Sequence, residues 1–370
     1  MPADFSKQTI DTLAKRAAYL CSGPDCRVST VGPNSEAARA TIIGEAAHVY
    51  AARAGEARYD ESMNDQARAA ISNAIWLCRN CHRQVDRDAQ KFPADLLFLW
   101  REQHEEYVAS NLGSKSDKAR FDLARHELAQ FEGYPPLIRR IACDKPPGWE
   151  WSLSAALMRH LNAPLFRRLA DLREGVCALT VYALDNEAVI DFAHTRLEDM
   201  TEIIGPLGKI LERFNRAWGA PGEPGDINEI HHTALLLRDS LAQIVAHEEM
   251  LRSVRVSPKH GEVINLLQDA LGSQAEKFAA TPDRLDEIVD MAIRLDENGS
   301  DSTPIVVTET ITFELPDGWA DKFNRAVRRI EGRGISKGFA EGYRQSGNSG
   351  SGCLTAIGFM IFFLLLLQFF

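Results

Sequence analysis

The sequence has little cysteine, no excess of positive charge and no apolar segment near its N-terminus. Seven cysteines among 370 residues are too few for a disulfide-stabilised scaffold. The net charge is −10, and taken alone it argues against a nucleic-acid-binding protein, because DNA affinity usually depends on a basic surface. The first residues form a polar, amphipathic stretch, so we expect no secretory signal peptide. The cysteines are therefore expected to face a reducing cytosol, where metal binding is their commoner use.

The acidic residues are unevenly distributed along the chain. The counts of basic and acidic residues are 13 and 15 over 1–113, 22 and 35 over 114–321, 7 and 2 over 322–344, and none over 345–370. The acidity therefore belongs to the middle of the chain. Length and composition favour a globular protein of two or three domains, with 45% hydrophobic residues and 25% charged residues.

The C-terminus ends in an apolar run. Residues 353–370 contain no charge, and a helix of this length is about 27 Å long, close to the hydrocarbon thickness of a bilayer. Positive charge beside a membrane span marks its cytoplasmic side. We therefore expect a single-pass protein whose C-terminal transmembrane helix lies in the lipid bilayer and whose other domains are cytoplasmic. We interpret the basic residues that precede this run as the cytoplasmic flank of the span; the alternatives are a solvated helix face or contacts with anionic lipid. These residues are Lys322, Arg325, Arg328, Arg329, Arg333, Lys337 and Arg344.

The middle of the chain has mostly helical periodicity. Apolar spacing predicts helices over 152–173, 185–217 and 228–256. The alternating residues 305–315 predict a half-buried strand, followed by an amphipathic helix from Trp319. The helical middle of the chain is a candidate surface for a second copy of the chain or for a regulatory protein.

Four cysteines near the N-terminus have the spacing of metal ligands. Cys21 and Cys26 have four residues between them, and Cys78 and Cys81 have two. Tetrahedral zinc binds such pairs, because tight turns hold both thiolates close to the ion. We predict a structural zinc site that stabilises a domain with little core of its own.

The residues around the second cysteine pair resemble the HNH endonuclease family, which has a ββα-metal fold. The resemblance is carried by SNAIWLCRNCH over 72–82, by AAHVY around His48 and by the first cysteine pair, and it covers about residues 8–110. It implies an α+β N-terminal domain that hydrolyses DNA phosphodiester bonds. By this resemblance His48 is the general base, His82 binds a catalytic Mg²⁺-type cation, and Asn73 orients the loop that holds His48 or assists the metal.

The sequence departs from the family at one position. Many members have an acidic residue or histidine immediately before the first histidine, as a second metal ligand, and here that residue is Ala47. Glu45 shares the strand face of Ala47, and Asp86 lies four residues after His82 on the same helical face. Either carboxylate is a candidate for the second ligand. The surrounding arginines are candidates for binding DNA phosphates or are ordinary surface residues: Arg53, Arg58, Arg79, Arg83 and Arg87.

These features predict five segments and three competing functions. The segments are a nuclease domain over 1–113, an acidic helical domain over 114–300, a strand with a basic segment over 301–345, a spacer over 346–352 and the membrane span over 353–370. The leading hypothesis is a membrane-anchored HNH endonuclease, for which we suggest a role in bacterial defence against foreign DNA. The alternatives are a zinc-stabilised module that binds nucleic acid or a partner without cleaving it, and a DNA sensor whose membrane spans act on the bilayer.

Overall fold

The structure is a computed structural model of the whole chain, and contacts within the chain divide it into two compact units. The N-terminal unit is Met1–Leu153 and the C-terminal unit is Ser154–Phe370. The residues that the structure describes are 4–112, 128–185, 188–220, 223–297, 305–313, 316–331 and 359–367.

The N-terminal unit is built around one buried strand. Its strands are β1 (Val31–Pro33), β2 (Ala40–Ile42), β3 (Gly44–His48) and β4 (Ala74–Cys78). Its helices are α1 (Lys7–Arg16), α2 (Asp65–Ala69), α3 (Arg79–Arg87), α4 (Ala94–Asn111), α5 (Pro136–Asp144) and the start of α6 (Trp149–Glu174). Strand β4 pairs antiparallel with β3, and β1 pairs antiparallel with β2.

Strand β4 divides the core into two clusters because its side chains alternate between its two faces. Ile75 and Leu77 pack into a cluster with residues of α3 and α4, whereas Ala74 and Trp76 pack with residues of α1. Since α3 begins directly after β4, the end of this buried strand fixes the position of the helix. At Gly44 on β3 a side chain would collide with the Trp76 indole, so this position requires glycine.

The C-terminal unit is mostly helical. It contains the rest of α6 and the helices α7 (Ala188–Ile204), α8 (Leu207–Ala217), α9 (Ile227–Arg252), α10 (Gly261–Glu297) and α11 (Trp319–Glu331). Its strands are β5 (Tyr182–Ala183), β6 (Val254–Arg255), β7 (Ile305–Phe313) and β8 (Phe359–Leu367). The predicted helix over 185–217 is in fact the pair α7 and α8, because Gly205-Pro206 interrupts it.

The C-terminal apolar run differs from its prediction. Phe359–Leu367 is a strand that pairs antiparallel with Ile305–Phe313, from Ile305 opposite Leu367 to Phe313 opposite Phe359. None of the helices in the described ranges is both long enough and apolar enough to cross a bilayer. The predicted transmembrane helix and single-pass membrane location are therefore wrong, and the predicted contact with lipid through that helix loses its basis. The rest of 353–370 lies outside the described residues.

The predicted fold class also needs correction. The chain is mostly helical with small two-stranded sheets, rather than an α+β domain followed by helices and a membrane span. The physical reason at the C-terminus is that Phe, Ile and Leu in a continuous run suit a buried strand as well as a helix. A pairing partner about fifty residues earlier decides between them, and a local pattern contains no information about it.

Candidate functional site

The four predicted zinc ligands come together at the start of α3. The Sγ atoms of Cys21, Cys26, Cys78 and Cys81 all lie within 4.8 Å of one another. Thiolates in tetrahedral coordination, about 2.3 Å from zinc, are about 3.8 Å apart. The Sγ atoms of Cys26 and Cys78 are 3.8 Å apart. The donor set and its size therefore fit a structural metal such as zinc, and the prediction of a four-cysteine metal cluster is confirmed at this level.

Local hydrogen bonds shape the first cysteine pair. The Cys26 N–H donates to the Gly23 carbonyl at 3.0 Å, which closes the turn between the two ligands. The Ser22 N–H donates to the Trp76 carbonyl at 2.9 Å and ties this turn to β4. The second pair occupies the end of β4 and the first turn of α3. One strand end therefore positions both halves of the cluster.

Burial changes the acidity of these thiols when no metal neutralises them. It raises the pKa of Cys21 to about 11, and burial together with the Cys21 charge raises the pKa of Cys81. Burial also acts to raise the pKa of Cys78, but hydrogen bonds within the cluster, foremost those from Cys81, lower it overall. Since zinc binds thiolates, metal binding must displace protons, and the affinity falls as the pH falls.

His82 lies in α3 between two carboxylates. Its Nδ1 is 2.7 Å from Glu45 Oε2, and its Nε2 is 3.2 Å from Asp86 Oδ2. Both candidates for the second metal ligand therefore contact His82. Glu45 contacts Nδ1 and Asp86 contacts Nε2. A cation bound to one ring nitrogen would therefore be shared only with the carboxylate on that side of the ring. The hydrogen bond to Asp86, and then that to Glu45, raise the pKa of His82 against the opposing effect of burial.

Asn73 is completely buried and holds the chain that follows His48. Its Nδ2 donates to the carbonyls of Tyr50 and Arg68 at 2.8 and 2.9 Å, and its Oδ1 accepts from the Tyr50 N–H at 2.8 Å. Its own carbonyl accepts from the Val49 N–H at 2.9 Å. With its amide engaged on backbone groups, Asn73 is placed to orient the segment after His48 rather than to bind an ion.

His48 ends β3 and stacks on an aromatic ring. Its imidazole lies 3.8 Å from the Phe5 ring, centroid to centroid, with the two planes 11° apart. The preceding Ala47 is completely buried in the cluster that contains Ile75. The position at which the HNH family often has a metal ligand therefore faces the core here.

The five candidate arginines differ in their surroundings. The Arg58 side chain is 5% exposed, donates to the Val49 and Val85 carbonyls at 2.8 and 2.6 Å, and pairs with Asp86 at 2.8 Å. Its guanidinium is therefore engaged within the protein. Arg79 and Arg53 are exposed and lie 4.0 Å from Glu45 and 3.8 Å from Asp4, respectively. Arg83 and Arg87 are exposed on α3.

The comparisons with known proteins do not assign the chain to a family. No family model, curated protein or solved structure matches it significantly. The resemblance to HNH endonucleases therefore depends on the residues themselves. Within the described ranges, the four cysteines are the only group of three or more possible metal ligands whose ligand atoms all lie within 4.8 Å of one another; His82, Glu45 and Asp86 do not form such a group.

Two buried arginines that support the site were not among the predicted residues. Arg68 donates to the carbonyls of Ala51, Asp60 and Met63, in the segment between His48 and Asn73. Arg101 of α4 donates to the carbonyls of Ile71 and Ala74, which lie before and after Asn73 in the chain, at 2.5 and 2.7 Å. No spacing rule could identify them, because the carbonyls that each arginine binds lie at irregular separations, from 5 to 30 residues away in sequence.

Proposed function

We propose that the N-terminal unit is a zinc-stabilised, metal-dependent endonuclease of the HNH type that hydrolyses DNA. The observation that carries the proposal is the position of His82, which lies one residue after the cysteine cluster with its ring between Glu45 and Asp86. This arrangement fits a metal-binding histidine: one ring nitrogen would lose its proton and bind the cation beside a carboxylate, while the other donates its N–H to the second carboxylate. The buried Asn73, tied to the chain after His48, is consistent with a positioning role.

In this mechanism His48 takes the proton from the attacking water. His82 and one of its two carboxylates would hold a divalent cation, which would supply positive charge to offset the charge that develops on the phosphate and the leaving oxygen. The four cysteines fix the start of α3 and so the position of His82. Because protons compete with the cation for His82, whose pKa is raised, activity is expected to fall on acidification.

A second candidate function is a zinc-stabilised module that binds nucleic acid without cleaving it. It is favoured by Ala47, whose buried side chain leaves no ligand at the position where the family often has one. In this case the pairs of His82 with Glu45 and Asp86 are only structural.

Plasmid cleavage by the full chain separates the two candidates. Wild-type protein with Mg²⁺ or Mn²⁺ is expected to nick supercoiled plasmid, and His48→Ala and His82→Ala are each expected to slow the reaction by about 10²-fold or more. His232→Ala is the matched control, because His232 is an exposed histidine of the C-terminal unit. Plasmid that is bound but left intact by the wild type with every metal supports the non-cleaving module instead.

A further inference from the structure

Helix α11 carries a stripe of positive charge whose predicted role has lost its basis. The stripe, called here the basic face, consists of Lys322, Arg325, Arg328 and Arg329. The sequence alone predicted that these residues flank a membrane span on its cytoplasmic side. The described part of the chain contains no helix that could span a bilayer.

The opposite side of α11 is anchored in the C-terminal unit. Trp319, Phe323, Ala326 and Val327 are each 2% exposed, and the Trp319 indole Nε1 donates to the Leu266 carbonyl at 2.6 Å. The rings of Trp319 and Phe323 stack with their centroids 4.8 Å apart. The helix is therefore held firmly against α10, and the basic face is turned to solvent.

The cations of the basic face are grouped and mostly free. With a turn of about 100° per residue, all four fall within an arc of about 120°. Arg329 pairs with Glu262 at 2.6 Å, whereas Lys322, Arg325 and Arg328 have no ion-pair partner among the described residues. Asp321 lies in the same arc, so four cations face two acids, an excess of two positive charges. This excess stands out in a unit that is otherwise acidic.

We infer that the basic face binds the phosphate backbone of duplex DNA. Its free cations extend over about 9 Å of helix, and duplex DNA offers one negative charge per about 1.7 Å of its axis. The inference rests in part on the proposed function, because the N-terminal unit carries no excess positive charge of its own and Arg58 is engaged internally. A basic contact in the C-terminal unit would add affinity for the phosphate backbone.

The buried apolar side of α11 favours nucleic acid over a lipid surface. Helices that bind membranes insert an apolar face to a depth of about 5–10 Å at the lipid boundary. Here that face is covered by protein, with Trp319 and Phe323 among its most buried side chains. Contact through charge alone suits a polyanion whose phosphates lie at its surface.

The test compares two triple variants of the full chain that remove the same charge. The first, Lys322→Gln with Arg325→Gln and Arg328→Gln, removes the free cations. The matched control, Arg213→Gln with Arg238→Gln and Arg284→Gln, removes one half-buried and two exposed arginines of the same unit that pair with Glu229, Asp239 and Glu287. Binding of a fluorescent 30-base-pair duplex is measured by anisotropy between 50 and 200 mM salt, and circular dichroism checks that both variants stay folded.

The basic-face variant is expected to bind the duplex about tenfold or more weakly at 100 mM salt, with a salt slope smaller by about 2 to 3, since each phosphate contact contributes about 0.9. The control variant is expected to match the wild type. Unchanged DNA affinity in the basic-face variant overturns the inference. So does a variant that loses only its binding to anionic phospholipid vesicles or only its self-association.

The outcomes for the proposed function are separate. If the wild type does not cleave plasmid but binds DNA through the basic face, only the proposed function is contradicted. If the wild type cleaves plasmid and the basic-face variant binds DNA as well as the wild type does, only this inference is contradicted.

Discussion

At the scale of single residues, the candidate site depends on side chains that each contact more than one partner. Asp86 contacts both His82 and Arg58, and Arg58 in turn holds the carbonyls of Val49 and Val85. The helix that carries His82 is thereby joined to the segment that follows His48. A substitution at Asp86 should therefore affect both the histidine and the packing of the loop.

The first prediction concerns the acidity of His82. Its pKa is raised, first by the hydrogen bond to Asp86, so it is expected to titrate above the ordinary value of 6.5. Asp86→Asn and Glu45→Gln should each lower that pKa, because each removes a negative charge from one ring nitrogen. Titration of the histidine resonances by NMR, without added divalent cation, measures it.

The sign of the stability effect follows from linkage. A pKa raised in the folded state stabilises the protein below the unfolded value of about 6.5, and this stabilisation is lost as the pH rises through the folded pKa. Asp86→Asn should therefore cost more stability at pH 6 than at pH 9. Asp88→Asn is the matched control, since its side chain can still accept the Lys91 N–H. A wild-type His82 that titrates at or below 6.5 contradicts the prediction.

At the scale of elements, a buried ion network joins three helices of the N-terminal unit. Arg16 of α1, Arg101 and Glu105 of α4, and Arg140 and Asp144 of α5 form it. The Asp144 side chain is completely buried and that of Glu105 is 13% exposed. Because Arg101 also donates to the carbonyls beside Asn73, the network supports the site as well as the helix packing.

The second prediction concerns this network. Glu105→Gln leaves three arginines with one carboxylate, and breaking a buried pair in this way costs about 3 kcal/mol or more. In a domain of this size that corresponds to about 6–12 °C in the unfolding midpoint of the N-terminal unit. Scanning calorimetry measures it, and Asp11→Asn, which removes an exposed partner of Lys15, should change little.

The network also predicts a pH dependence. Burial acts to raise the pKa of Glu105, but the charges of Arg101, Arg140 and Arg16 lower it well below its usual range. Its contribution is therefore present above the unfolded pKa of about 4.3 and is lost as the pH falls through the folded value. Wild-type stability should decline in acid more steeply than that of Glu105→Gln. Equal slopes would falsify this assignment.

At the scale of the whole molecule, all four metal ligands lie in one of two compact units. The cysteine cluster belongs to Met1–Leu153, and the long helices α7 to α10 belong to Ser154–Phe370. Metal binding should therefore stabilise Met1–Leu153 directly, because all four ligands lie there. A metal-dependent unfolding transition would thereby be assigned to that unit.

The third prediction follows from this division. Purified chain should contain one zinc, and a strong chelator should lower or abolish one calorimetric transition while most of the helical circular dichroism remains. Cys78→Ser should do the same without chelator, whereas Cys177→Ser, at a cysteine of the C-terminal unit, should retain the zinc. Elemental analysis measures the metal. A chain that holds no zinc and shows unchanged transitions after chelation rules out a stabilising metal.

The sequence by itself determined the features that depend on local spacing. Two cysteine pairs at short separations must each form a turn with both thiols on one side, so the cluster could be predicted from them. Alternation over 305–315 likewise indicated the strand at Ile305–Phe313, since a pleat needs only a period of two.

Only the tertiary structure decided the contacts between distant segments. The contact of Glu45 with His82, 37 residues later, exists only because β3 pairs with β4. The same holds for Phe359–Leu367, which pairs with β7 instead of forming a helix. The physical reason is that hydrogen bonds within a helix are local, whereas those of strands and of buried charges depend on which distant groups the packing brings together.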